Sequence, residues 1–149
     1  IVADYVIMMG YDEHFAGGEA GSVSSINYVK NGIAGMLENV PREKLIGGVP
    51  FYTRLWTEAG DGTITSKAMG IAEEKRWVDN NQVELTWQAD TAQYYGEVQT
   101  SDGAQFLWME EERSLKEKMN VIRQNDLAGV ACWKLGFEDS AAWDSIQWN

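Results

Sequence analysis

Three stretches of the chain run from apolar residues into aromatic and polar ones, and they set its frame. The first is Ile7-Met8-Met9-Gly10-Tyr11-Asp12-Glu13-His14, the second runs from Leu45 through Gly47-Gly48-Val49-Pro50-Phe51-Tyr52 to Arg54, and the third from Leu127 to Gly136. Each reads as a buried strand that ends on reactive side chains, and strand ends are where barrel enzymes keep their chemistry. Between the first two, Ile26, Val29, Ile33, Leu37 and Val40 recur at three- and four-residue steps, one buried helix face. Ser24 or Ser25 can cap that helix, and Pro41 ends it because the residue before proline avoids helical backbone. Strand, helix and strand make a parallel crossover.

The connection from Trp56 to Asp126 is too long for a loop and carries its own pattern. Ser66 to Asn80 reads as helix around Met69, Ala72, Trp77 and Val78. Val83 to Trp87 and Gln93 to Val98 alternate, and Ala104 to Met109 follows a Ser101-Asp102-Gly103 turn, so a small antiparallel sheet with Leu85 or Trp87 buried is expected. Ser114 to Gln124, with Leu115, Met119 and Ile122 on one face, reads as a helix returning to the third strand. A last short helix, Ser140 to Ile146, presents Trp143 and Ile146.

Composition narrows the functional classes. The chain has 149 residues, one ordinary domain, whereas a complete eight-stranded α/β barrel takes about 250. Apolar residues make up 44%, with 7 Trp, 6 Tyr and 4 Phe, enough for a packed core. A net charge of -11 with only 12 Lys and Arg argues against a nucleic-acid partner. No apolar run approaches the roughly 18 residues of a membrane span. The chain opens on a strand-like segment with no basic leader, so an export signal, if the parent has one, is expected upstream. Cys132 is the single cysteine and sits in an apolar strand, where a buried thiol is expected rather than a nucleophile. One histidine, without carboxylates at ligand spacing, makes no metal site, and no cofactor is expected.

In order and chemistry the three strand segments resemble the sixth, seventh and eighth barrel strands of family 18 glycoside hydrolases, the family of chitinases and bacterial cell-wall N-acetylglucosaminidases. The first is similar to the family's Met-x-Tyr-Asp strand, the second to its Gly-x-Pro-Phe-Tyr-x-Arg strand, and the third to the strand ending on a tryptophan that floors the sugar site. Tyr11 to His14, Glu19 to Ser25 and Trp108 to Glu112 resemble the spore and cell-wall branch. The resemblance implies an α/β fold, a partial (β/α)8 TIM barrel in which residues 1–149 form the C-terminal portion and 57–112 an inserted α+β subdomain. It implies a glycosidase acting on chitin or peptidoglycan, a polysaccharide or oligosaccharide substrate, and a secreted, cell-wall or spore setting. The family's acid catalyst lies in an Asp-x-x-Asp-x-Asp-x-Glu motif, and no Asp-x-Glu occurs here.

Alternation assigns faces, since positions two apart on a strand share one. With Tyr11 inward, Ile7 and Met9 are inward, as are Pro50, Tyr52 and Arg54, and Ala131, Trp133 and Leu135; Val6, Met8 and Cys132 face helices. The family's retaining route uses the substrate's own acetamido group as nucleophile. The resemblance implies that Tyr11 donates to that group and Asp12 tunes the site, these being the candidate catalytic residues. Met9, Tyr52, Arg54 and Trp133 are the candidate substrate-binding residues, Trp133 as the floor and Met9 under the acetamido methyl.

Duller readings stand beside these. Tyr11 and Asp12 also fit ordinary strand ends, Arg54 an ion pair with a carboxylate such as Glu110, His14 a loop anchor, and Glu110-Glu111-Glu112 a solvated helix start with one member able to reach the cleft. A glycan-binding module without catalysis and a self-standing α/β interaction domain remain open. A barrel cut before its sixth strand would leave an apolar inner face, and self-association through it is expected.

Overall fold

A computed structural model describes residues 2–148. In chain order the elements are β1 (Val6–Met9), α1 (Ile26–Leu37), β2 (Leu45–Pro50), β3 (Tyr52–Glu58), β4 (Ile64–Gly70), α2 (Ile71–Asn80), β5 (Leu85–Gln88), β6 (Gln93–Thr100), β7 (Gly103–Trp108), α3 (Glu112–Gln124), β8 (Gly129–Trp133) and α4 (Ser140–Ser145). Two sheets result. β1, β2 and β8 pair in parallel in that spatial order, and β4-β3-β7-β6-β5 form an antiparallel sheet between β2 and β8 in sequence.

The parallel sheet follows from its alternation. Met8, Leu45 and Val49 point to α1 and α3 and join Ile26, Val29, Ile33, Leu115, Met119 and Ile122 in the larger core. β2 is central, and apolar nearly throughout, as expected of a strand paired on both sides. Gly47 is required there: a Cβ at that position would lie 2.7 Å from the Ile122 side chain, so α3 packs directly on the strand backbone. On the opposite face Met9, Gly48 and Ala131 stand in register, as do Pro50 and Trp133. Helix α1 starts at Ser25, whose side chain accepts from the Tyr28 amide, and ends at Leu37, so Val40 packs on the core from the segment beyond it. Cys132 packs against the helix-side core, and burial pushes its thiol up to about 11.

The antiparallel sheet departs from the sequence reading in three places. Residues 66–70 are strand, not helix: β4 pairs with β3 from Tyr52↔Gly70 to Glu58↔Ile64, and only Ile71–Asn80 is helical. Seven cross-strand pairs outweigh a weak local periodicity. The second core consists of Leu55, Met69, Val78, Val83, Leu107 and Met109 rather than Leu85 or Trp87. β5 is an edge strand, so Leu85 stays exposed, and Trp87 is half-buried under the Arg113 guanidinium, 3.6 Å from its ring centroid.

The third departure is the glutamate run. Glu110 is wholly buried and Glu111 nearly so. Glu111 caps α3, its carboxylate accepting from the Arg113 and Ser114 amides at 2.9 Å while the Ser114 hydroxyl accepts from the Glu111 amide. Both oxygens of Glu110 lie 3.0 Å from Lys118 Nζ, itself wholly buried. Such a pair needs every remaining lone pair satisfied to offset its desolvation, and Ser114 and Gln93 supply the other donors. All three glutamates are committed to contacts around α3; Glu112 bonds Lys75, which also holds Asp139 at 2.6 Å and so ties α2 to the starts of α3 and α4. In α4, Trp143 meets Phe51 edge to face at 5.3 Å.

Glu74 lies beside this pair, wholly buried, with one oxygen accepting from the Glu110 amide and the other without a partner. Burial, and then the neighbouring Glu110 charge, hold its carboxyl well above the ordinary carboxylate range. A carboxyl whose folded pKa is raised ionises first in the unfolded chain, so folding stability falls as pH rises above the unfolded value. Glu74→Gln, which cannot ionise, is expected to match the native urea midpoint near pH 4 and to exceed it increasingly toward about pH 7. Equal midpoints at both values would show that Glu74 carries no such penalty.

Candidate active site

The C-terminal ends of the three parallel strands converge on an aromatic cluster. Tyr11 follows β1, Trp133 ends β8, and Tyr52 opens β3 just past the end of β2. The Tyr11 ring lies 6.4 Å from that of Trp133 at 28° between planes, and 6.3 Å from that of Tyr52 at 67°. Tyr52 rests in turn on Phe137, 6.2 Å away. Gly48 makes room for this: a Cβ there would stand 2.6 Å from the Met8 carbonyl and 3.4 Å from the Tyr11 ring.

Asp12 takes a left-handed backbone conformation, φ 59°, at the turn out of β1. Its carboxylate accepts a 2.5 Å hydrogen bond from the Tyr52 hydroxyl. Tyr52 is buried, and that burial together with the bond to Asp12 pushes its phenol far above the normal range. Tyr11 is raised as well, first by partial burial and then by the Asp12 charge. Both phenols are therefore neutral donors across the physiological range.

The loop after Asp12 is tied down at both ends, by Glu13 and His14 on one side and by residues 21–25 on the other. His14 Nδ1–H donates to the Ser22 carbonyl at 2.8 Å, which makes His14 a loop anchor. The Glu13 carboxylate accepts from the Ser25 amide and hydroxyl, the Glu13 amide donates to the Val23 carbonyl, and the Ser24 hydroxyl donates to the Gly10 carbonyl at 2.6 Å. Trp56, buried on β3, donates from its indole to the Gly21 carbonyl.

The sequence-predicted residues divide. Tyr11, Asp12, Tyr52 and Trp133 come together. Met9 and Ile7 lie on the open face of the parallel sheet; Met9 is 67% exposed and Trp133 53%. Arg54 does not share a strand with Pro50: the chain changes sheet at Phe51, whose amide donates to the Trp133 carbonyl at 2.7 Å, so Arg54 belongs to the antiparallel sheet. There it donates to the Ser66 hydroxyl at 3.2 Å, while its buried Nε–H has no acceptor. The expected alternative partner, Glu110, is taken by Lys118, and no ion pair to Arg54 forms among the described residues. The contacts of Phe137 and Trp56 were not singled out by pattern, because an aromatic in a loop and a buried strand tryptophan carry no signal that distinguishes them from ordinary packing; Ser25 rather than Ser24 caps α1, and Ser24 bonds Gly10 instead. Among the described residues no cluster of three His, Cys, Asp or Glu could hold a metal ion, and no helix is long and apolar enough to cross a membrane.

Two tyrosine hydroxyls, one carboxylate and an indole face gathered at the ends of parallel strands suit recognition of a hydroxylated, partly apolar ring. The chain belongs to family 18 of the glycosyl hydrolases, whose family model matches residues 1–138. It is 29% identical over 146 residues to the uncharacterized glycosylase YvbX of Bacillus subtilis, covering 97% of this chain and 42% of that protein. It is 26% identical over 144 residues to the cortical fragment-lytic enzyme of the same organism, covering 95% of this chain and 33% of that one. Its fold matches the crystal structure of a chitinase from Chromobacterium violaceum with a TM-score of 0.88 at 23% identity, over 97% of this chain and 44% of that one. The chain thus spans less than half the length of these relatives.

If the Tyr52 hydroxyl is committed to Asp12 as the geometry indicates, its ring should not titrate in the accessible range. The Tyr52 Cζ carbon resonance is expected to stay constant from neutral pH to about pH 11, where exposed tyrosines move with a midpoint near 10. A Tyr52 midpoint at or below about 10 would remove the bond and the burial together.

Proposed function

We propose that this chain is the C-terminal portion of a family 18 catalytic (β/α)8 barrel, with residues 57–112 inserted between its last two strands, from a glycosidase that cleaves β-linked N-acetylglucosamine glycans. The observation that carries this reading is the meeting of Tyr11, Asp12, Tyr52 and Trp133 at the ends of three parallel strands in a chain of this family. Chitin and peptidoglycan are the substrate classes, the second favoured by a relative named for lysis of cortical fragments. A secreted, cell-wall or spore location fits the same relative.

The route is retaining and substrate-assisted: the substrate's 2-acetamido oxygen attacks the anomeric carbon and forms an oxazolinium ion. Tyr11, kept protonated by burial and by the Asp12 charge, donates to the acetamido carbonyl without competing as a nucleophile. Asp12, held at one oxygen by Tyr52, accepts from sugar hydroxyls and tunes the acidic group that the rest of the parent supplies. Trp133 offers an exposed ring face to the C–H side of the sugar, and Met9 an exposed thioether on the same open face. Arg54 is the remaining candidate binding residue, two positions along β3 from Tyr52. The leaving oxygen needs a protonated carboxyl, and its motif does not occur within these 149 residues, so it comes from another part of the parent.

Two expectations test this. The 149 residues alone should not turn over a chromogenic chitobiose substrate, and turnover abolished by Tyr11→Phe would overturn the division of the site. In the parent, Tyr11→Phe and Asp12→Asn should lower kcat by about 100-fold or more with a smaller change in KM, since their contacts strengthen at the transition state. A parent that binds N-acetylglucosamine oligomers with no turnover would instead make this a glycan-binding module.

The exposed face of Ile7, Met9, Trp133 and Leu135 is read as one that other barrel strands cover in the parent. For the 149 residues alone, a second copy takes that place. Light scattering should give a dimer or larger species, and a monodisperse monomer with Trp133 fluorescence at the solvent-exposed position would refute it.

A further inference from the structure

A line of buried polar groups runs from α3 to the strand end that carries Tyr11 and Asp12. Lys118 Nζ donates to both oxygens of Glu110 at 3.0 Å, and Gln93 Nε2 on β6 donates to Glu110 Oε2 at 3.1 Å. The Gln93 carbonyl oxygen accepts from the Ser22 hydroxyl, whose oxygen accepts from the Ser24 amide at 3.0 Å. The Ser24 hydroxyl donates to the carbonyl of Gly10, the residue before Tyr11. Lys118, Glu110, Gln93 and Ser24 are wholly buried, and Ser22 nearly so.

The directions of the bonds made by Gln93 and Ser22 are set at the Glu110 end, and those at Ser24 by the backbone amide and carbonyl they involve. A carboxylate paired with an ammonium only accepts, so the Gln93 amide must turn its NH2 to Glu110 and its oxygen to Ser22. Ser22 must then donate, which leaves its lone pair to hold the Ser24 amide. Ser24 in turn is placed to donate to Gly10. A buried network this far from water has few alternative arrangements of equal energy, so a change at Gln93 propagates rather than being absorbed by solvent.

We propose that Lys118, Glu110, Gln93 and Ser22 form a positioning relay that fixes the main chain around Gly10 and thereby sets the angle at which Tyr11 and Asp12 are presented. None of the four stands among the aromatic groups of the site; they act through the loop. The inference deepens the glycosidase reading and rests on it for its catalytic consequence. Its structural half, coupling between β6 and the strand end, stands by itself.

The test compares Gln93→Leu, Ser22→Ala, the double variant and Lys118→Arg in the parent protein, with chromogenic chitobiose as substrate and activity expressed per folded molecule. Gln93→Leu and Ser22→Ala should each lower kcat by about 10- to 100-fold, as misplacement of a reacting group does, with KM changed less than about threefold. The double variant should be no worse than the more damaging single one, and Lys118→Arg, which keeps the charge, should retain most of kcat. Amide exchange supplies a readout independent of turnover. In Gln93→Leu the Glu13 amide, bonded to the Val23 carbonyl, should exchange at least about tenfold faster, while the Ala128 amide, bonded to Leu45, is unchanged. Unaltered Glu13 exchange in Gln93→Leu, additive effects in the double variant, or native kcat per folded molecule would each overturn the relay. A native parent without turnover would sink the glycosidase reading, and the exchange data would still decide the coupling.

Discussion

Phe51 is the point on which the two halves of the molecule hang. Its backbone is the step between a parallel ladder and an antiparallel one, and its amide is spent on the Trp133 carbonyl of the neighbouring strand. Its ring is wholly buried in the larger core and covered by Trp143 of the last helix. Proline precedes it and cannot extend the ladder with an N–H of its own. Because the chain turns there, Tyr52 emerges one residue later beside Asp12, and every strand of the second sheet takes its position from β3.

That arrangement places the site at a seam. One wall is the strand ends of the parallel sheet, with Tyr11 and Trp133; the other is the start of β3, with Tyr52 and then Arg54. A seam between two packed layers can be held to sub-ångström accuracy only if polar groups bridge it. Here the bridges are the Tyr52 to Asp12 bond, the Trp56 indole on the Gly21 carbonyl, and Ser22 on Gln93. Hydrophobic burial holds each layer together but is indifferent to small sliding between them; directional bonds are not.

Much of this was legible in the sequence where a single period governs a segment. The alternation of Val6 to Met9, the helix face of Ile26, Val29 and Ile33, and the face of Leu115, Met119 and Ile122 all bury as their spacing dictates. The motif residues Tyr11, Asp12, Tyr52 and Trp133 meet as their placement at strand ends predicts. Failures came where a long-range partner decided the outcome. Residues 66–70 have no strong period of their own and become strand because β3 lies alongside; Leu85 alternates correctly but is stranded on an edge. Glu110 was unreadable for a sharper reason: three consecutive glutamates signal solvent, and only a lysine eight residues later, folded back against the first, reverses that sign.

The positive φ of Asp12 bears on how the residue can be varied at all. Left-handed backbone is cheap for glycine, tolerable for aspartate and asparagine, and costly for residues with other Cβ substituents. Asparagine is then the one replacement that removes charge while leaving the main chain where it was. Alanine at the same place would mix loss of the carboxylate with a turn forced into a poor conformation, and its defects would speak about geometry as much as chemistry. The chain thus accepts very few letters at this position for reasons of shape, before any demand of a substrate is added.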